Sequence, residues 1–205
     1  MRRFYKIIFL FFITGHGYTQ ALPRPKLVVG IVVDQMRWDY LYRYYDRYSS
    51  TGGFKRMLTQ GNSCENTLIP YIPTVTAPGL SSIYSGSVPA ISGITGNTWW
   101  DNELNRSVNC VEDKTVHTIG STSQAGQMSP RNMLVNTICD ELRLATNFRS
   151  KVIGISAKDR SAILASGFSA NGAYWYDTAT GNWISSSYYM TDYCKLKSFT
   201  HFKSG

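Results

Sequence analysis

Residues 26–34 read KLVVGIVVD, and the choice of fold turns on them: Leu27, Val28, Val29, Ile31, Val32 and Val33 form a near-continuous, mostly β-branched run with no polar alternation. A strand covered on one face alternates apolar with polar residues, whereas a strand buried on both faces of a parallel sheet has no such need. The run is therefore expected to be an inner strand that ends at Asp34. Working outward, residues 36–48 (MRWDYLYRYYDRY) and 53–60 (GFKRMLTQ) have helical character, and Gly61-Asn62 interrupts the chain before a short strand expected near 63–67. Ala77 to Ser85 reads as a helix, whereas residues 98–130, rich in Asn, Ser, Thr and Gly, are expected to form loops and short elements. Between Pro130 and Thr146, Leu134, Ile138 and Leu142 recur at every fourth position, the stripe of an amphipathic helix. Lys151 to Ile155 reads as a second buried strand, residues 156–167 (SAKDRSAILASG) as the helix that follows it, and residues 173–187 (AYWYDTATGNWISSS) as a hairpin. Strands alternating with helices predict an α/β fold with a mostly parallel sheet flanked by helices. Such folds bind ligands beyond the carboxyl ends of their strands, which would gather Asp34, the 73–79 loop and residues 156–160 on one edge.

The chain has 205 residues, 43% hydrophobic and 17% charged, enough for one domain or at most two. Arg2, Arg3 and Lys6 precede the apolar run Ile7–Ile13 and then Gly15, so residues 1–21 read as a cleaved export signal and residues 22–205 as the mature part. The expected location is the periplasm or the outside of the cell. No later stretch reaches about 18 apolar residues, so no membrane span is expected in the mature chain. Without the signal, 18 basic residues face 13 acidic ones, a net charge of +5. The excess is scattered, and no Lys/Arg run forms a nucleic-acid patch. In an exported chain Cys64, Cys110, Cys139 and Cys194 are candidates for disulfides with three possible pairings, although Cys139, inside an expected helix, also fits a buried thiol. They form no CxxC pair, and the chain lacks GxGxxG, a Walker lysine loop, GxSxG and internal repeats. The aromatic run from Trp38 to Tyr48 is interleaved with Arg and Asp of alternating sign, which favours a helix packed on the sheet over base stacking.

The stretch YIPTVTAPGLSS (71–82) holds the most reactive candidate. Thr76 precedes Ala77-Pro78, where proline suits a first helical turn, so the plain reading of its hydroxyl is an N-cap. The alternative is a nucleophile beside helix N–H groups that can hold a phosphate. A helix end stabilises an anion by at most ~2 kcal/mol. Lowering an alcohol pKa by roughly 9 units takes about 12 kcal/mol, the scale of metal coordination. Asp34 at the strand end is the metal-ligand candidate, its plain alternative being a surface or capping carboxylate. Lys158 and Arg160, two apart, can both reach one anion or simply form an ion-pair cluster with Asp159. Asn97 follows Gly96, and its amide either donates to a phosphoryl oxygen or is a turn residue.

Taken together, VVGIVVDQMRWDYL, YIPTVTAPGLSSIYSGSVPAISGITGN, GISAKDRSAILASG and GAYWYDTATGNWISSSYYM resemble, in collinear order from Lys26 to Met190, the type I phosphodiesterase/nucleotide pyrophosphatase branch of the alkaline phosphatase superfamily. Within it the chain is most similar to exported bacterial alkaline phosphatases that use a threonine nucleophile. The resemblance implies an alkaline-phosphatase-like fold and zinc-dependent hydrolysis of small phosphate monoesters through a phospho-threonine. It implies that Thr76 is the nucleophile and a zinc ligand, that Asp34 is a ligand of the same zinc, and that Asn97, Lys158 and Arg160 hold the phosphoryl oxygens. The Lys158–Arg160 pair is characteristic of members that favour monoesters; the alternatives are a phosphodiesterase or nucleotide pyrophosphatase and, in another class, a non-catalytic exported phosphate-binding module. Leu80 and Ser92 stand where the family often has His. The resemblance further implies two zinc ions in the complete enzyme, with the remaining Asp and His ligands supplied by a later half that these residues do not include. The chain is therefore expected to be the N-terminal portion of an incomplete catalytic domain, and inactive alone.

Overall fold

The computed structural model describes residues 25–191, which fall into one unit ending at Arg47 and a second beginning at Tyr48. Residues 1–21, expected to be the export signal, and Cys194 lie outside the described residues. In the first unit, helix α1 spans Tyr40–Arg43 and runs into a 3-10 turn, Tyr45–Arg47. Asp39 organises this segment, pairing with Arg37 Nε at 3.0 Å and with Arg43 Nη2 at 3.3 Å. Trp38 packs on Tyr42 and Tyr40 on Tyr44, the one-turn spacing that lets helical side chains meet. Residues 26–33 correct the sequence reading: they form no strand, and all are exposed, Leu27 at 78% and Ile31 at 77%. An inner parallel strand exists only through ladder partners on both edges and a layer on each face, and this run enters no ladder.

The second unit is built on a four-stranded sheet. Its strands are β3 (Thr118–Ile119), β4 (Ile153–Ile155), β5 (Gly172–Asp177) and β6 (Asn182–Ser186), in the order β3-β6-β5-β4. β4 and β5 run parallel, joined by helix α6 (Asp159–Ser166), which packs on both. β5 and β6 form the expected hairpin, Trp175 opposite Ile184, and β3 adds antiparallel to β6. The α/β class stands, but among the described residues the sheet is mixed, its parallel pairing confined to β4 and β5. Gly154 explains how α6 sits so close to β4: a Cβ there would collide with Ser166 and with the Ala162 carbonyl.

Before the sheet come α2 (Gly53–Gln60), α3 (Thr76–Ser85) and α4 (Pro89–Ser92), then a second hairpin of β1 (Thr98–Asp101) and β2 (Arg106–Asn109). The strand expected near 63–67 is absent. α3 lies against α6, and Leu80, Ile94, Val111, Ile163, Leu164, Trp175 and Ile184 fill the core between these elements.

Helix α5 (Ile138–Ala145) starts four residues after Leu134, the first residue of its apolar stripe. Thr137 and Asp140 form a reciprocal capping box that fixes the start. Asp140 accepts from Thr137 N and Oγ1, both at 2.9 Å, and from Ser169 N at 2.7 Å and Ser169 Oγ at 2.8 Å. Arg143 donates through Nη1 to the Ser150 carbonyl and to Asn171 Oδ1, each at 2.6 Å. The helix is thus held by its charged side, with Asp140 and Arg143 buried, while Leu134, Ile138 and Leu142 are exposed. Cys64, Cys110 and Cys139 are free thiols. Among the described residues, no helix is long and apolar enough to cross a membrane.

Candidate functional site

The site begins at the first turn of α3. Val75 is the extended residue before the helix (φ −95°, ψ 171°), and no side chain of its own caps it. Thr76 is the first helical residue, one position past the N-cap place expected for it. Pro78 fits because first-turn N–H groups have no partner inside the helix and a missing one costs nothing. The far end closes on Gly86 at φ 69°, a left-handed residue for which glycine is suited.

The first-turn N–H of Ala77 instead meets a side chain from 20 positions away: it donates to Asn97 Oδ1 at 2.9 Å. Asn97 is held in turn by its main chain, whose carbonyl accepts from Cys110 N at 3.0 Å. Cys110 is fully buried just past β2, and burial, with the nearby charge of Asp159, pushes its thiol up to about 12, against the opposing pull of Arg160. α3, which Thr76 opens, packs on α6, the helix that carries Asp159 and Arg160 in its first turn.

Lys158 is the extended residue before α6 (φ −112°, ψ 140°) and is exposed. Arg160, in the first turn, is half-buried; its main-chain N–H donates to Asp159 Oδ1 at 2.6 Å, and its Nη1 lies 3.5 Å from the same oxygen. The ion pair with Asp159 foreseen from sequence is thus present. Arg160 Nε is nevertheless buried and meets no acceptor among the described residues. Thr76, Asn97, Lys158 and Arg160 all belong to the second unit, whereas Asp34 is an exposed residue of the first. A hydroxyl, an amide and a guanidinium at the starts of two packed helices suit a tetrahedral oxyanion, because each offers a donor and the helix ends add positive potential.

A metal centre is a different matter. No group of three or more His, Cys, Asp or Glu side chains among the described residues is placed to hold an ion. Asp34 and Thr76 offer two donors, against the four of a tetrahedral zinc site. The described residues do not make up such a site.

Two contributors escaped the sequence reading. Cys110 was legible only as a disulfide candidate, and the Ala77–Asn97 bond joins residues that no local pattern connects.

Residues 28–203 match the family model described as type I phosphodiesterase / nucleotide pyrophosphatase. Alkaline phosphatase PhoV of Synechococcus elongatus is 66% identical over 173 residues, which cover 84% of this chain and 31% of that protein. A protein of Myroides odoratus named calcium-transporting ATPase is 59% identical over 174 residues, 85% of this chain and 32% of that one. The crystal structure of an alkaline phosphatase PafA variant, with four substitutions at a threonine, an asparagine, a lysine and an arginine, superposes with a TM-score of 0.85 at 53% identity. That match covers 90% of this chain and 36% of the other. The chain spans about a third of the length of the curated relatives it matches.

Proposed function

The chain belongs to the type I phosphodiesterase / nucleotide pyrophosphatase family, and we propose that it supplies the nucleophile and the oxyanion-holding part of an exported, zinc-dependent phosphomonoesterase. The observation that carries this reading is the bond from the first turn of α3, which Thr76 opens, to Asn97, together with the packing of α3 on α6, the helix that carries Arg160. A further support is spacing. The substituted threonine and asparagine of the PafA variant lie 21 positions apart and its lysine and arginine two apart, as do Thr76 and Asn97, and Lys158 and Arg160, here.

In this reading Thr76 Oγ1 attacks phosphorus, giving up its proton as the ester oxygen departs and is protonated. Water then cleaves the phospho-threonine, which restores the hydroxyl and releases inorganic phosphate. Asn97 donates to one phosphoryl oxygen, and Lys158 and Arg160 balance the second negative charge that a terminal phosphate carries and a diester lacks. A buried guanidinium N–H without an acceptor costs about 1–3 kcal/mol, and a phosphoryl oxygen at Arg160 Nε would recover it. Zinc, when bound, lowers the pKa of the attacking hydroxyl. Asp34 and Thr76 would be two of its ligands, and the described residues do not complete the site. The basic-apolar leader of residues 1–21 supports an exported, periplasmic or secreted protein.

The test joins this chain to PafA in place of the matching third of that enzyme. Release of phosphate from a monoester, a diester and ATP is then compared, ATP because one relative is named an ATPase. The monoester is expected to be the fastest substrate, with Thr76→Ala removing at least about 10³ of the rate. Lys158→Ala is expected to slow the monoester by about 10–100-fold and the diester less. A Thr76→Ala chimera as active as its parent would sink the assignment. Binding of phosphate without turnover by the unsubstituted chimera would favour the non-catalytic module.

A further inference from the structure

We infer that Asn97 is a positioning residue for the helix that carries Thr76: its side-chain carbonyl is the N-cap that α3 otherwise lacks, and that bond dictates which way its NH2 group faces. What the NH2 group then meets rests on the phosphate-handling reading above; the cap itself rests on geometry alone.

α3 enters from Val75, whose side chain cannot accept a hydrogen bond, and Thr76 is already helical. The acceptor for the first turn comes from outside the helix, Asn97 Oδ1 at 2.9 Å from Ala77 N. A backbone N–H can only donate, so the atom opposite it must be the amide oxygen, and the side chain cannot be turned over without leaving two donors face to face. The main-chain carbonyl of Asn97 is engaged as well, by Cys110 N at 3.0 Å. The carbonyl of Cys110 accepts from Asn132 Nδ2 at 3.2 Å, which ties the arrangement to the segment beyond the second hairpin. With the side-chain oxygen committed to α3 and the main-chain carbonyl to Cys110, the donor end of the amide is what Asn97 can present to a ligand. Position 97 thus calls for a short planar group that is an acceptor at one atom and a donor at the other. An aspartate would cap and could not donate, and an alanine would do neither.

The test is NMR on the chain carrying Asn97, Asn97→Asp or Asn97→Ala, with inorganic phosphate as the probe. A scalar coupling across the hydrogen bond between the Ala77 nitrogen and the Asn97 side-chain carbonyl carbon is expected in the unsubstituted chain. Its absence overturns the cap without recourse to any variant. Asn97→Ala is expected to speed exchange of the Ala77 amide about 2- to 30-fold, while Asn97→Asp holds it within about threefold. Equal exposure of Ala77 in both variants, or no change in Asn97→Ala, overturns the inference. Phosphate is expected to shift the Asn97 NH2 signals in the unsubstituted chain and to leave Ala77 protected. A chain indifferent to phosphate whose Ala77 protection still depends on an acceptor at 97 supports the cap and counts against the phosphate reading alone.

Discussion

Helices α3 and α5 belong to the same unit and are built in opposite senses. α3 has an unpromising sequence, TAPGLSSIYS, yet it buries Ala77, Pro78, Leu80 and Ser81 against the core and brings Thr76 to the site. α5 has the clearer apolar stripe, yet Ile138 and Leu142 face outward, and the helix is anchored by buried Asp140 and Arg143. A stripe says that a helix has a face suited to cover; it does not say which part of a chain supplies the cover. Charged residues can serve as the inward side when every polar atom they bury is given a partner, because satisfied charge-assisted bonds offset the loss of water. The Asp140 carboxylate meets that condition with four donors; Arg143 meets it only in part, since Nη1 has two acceptors and the buried Nε has none among the described residues.

The contrast can be broken by substitution. Ile163 is fully buried in α6, and Ile163→Ala is expected to cost about 2–5 kcal/mol in urea unfolding, from lost burial and the cavity left behind. Asp140→Asn comes next, at about 1–3 kcal/mol, because an amide sets an NH2 group against donors that the carboxylate oxygens now accept from. The same carboxylate ties stability to pH. Burial opposes the charge of Asp140, but bonds from Thr137 and Ser169 prevail and hold its pKa below the ordinary value. Burial likewise opposes Asp113, which Ser129, Thr115 and Arg131 together hold down to about 2. Groups with depressed native pKa values bind protons less readily folded than unfolded, so their contribution is present above the unfolded carboxylate pKa of about 4 and is lost as pH falls from there through 2. Melting temperatures are expected to drop as pH falls from about 4 to 2, less steeply in Asp140→Asn; an unchanged slope in that variant would remove Asp140 from the account. Smallest of all, Ile138→Ala is expected to stay within about 0.5 kcal/mol, and a cost near that of Ile163→Ala would show that the α5 stripe is covered in solution.

What could be read from sequence was whatever is decided locally. α2 matches residues 53–60, α3 begins within one residue of its expected start, and the β5–β6 hairpin falls where aromatic strands flank Gly181. Capping, turn chemistry and periodicity act over a few residues, so a single sequence carries them. The apolar run 26–33 and the β4 residues Ile153 and Ile155 read as doubly buried and are exposed, because burial of a strand depends on neighbours from distant parts of a chain. The site divides in the same way. Thr76, Lys158 and Arg160 sit at helix starts that the sequence marks, whereas the bond from Ala77 to Asn97 and the part played by Cys110 arise only when separate segments meet.

The β4–α6–β5–β6 segment has a consequence for the order in which the molecule forms. Its strands and helix are consecutive, so its contacts close short loops and carry little entropic cost. β3, by contrast, must bring residues 118–119 to 185–186, and α3 must find α6 across more than 70 residues. On that ground Lys158 and Arg160 are expected to ride on the earlier-forming part, and Thr76 with Asn97 to arrive on the slower, long-range closure. A ligand that needs both sets would bind only after that closure, so its binding rate in a refolding experiment would time the final step of folding.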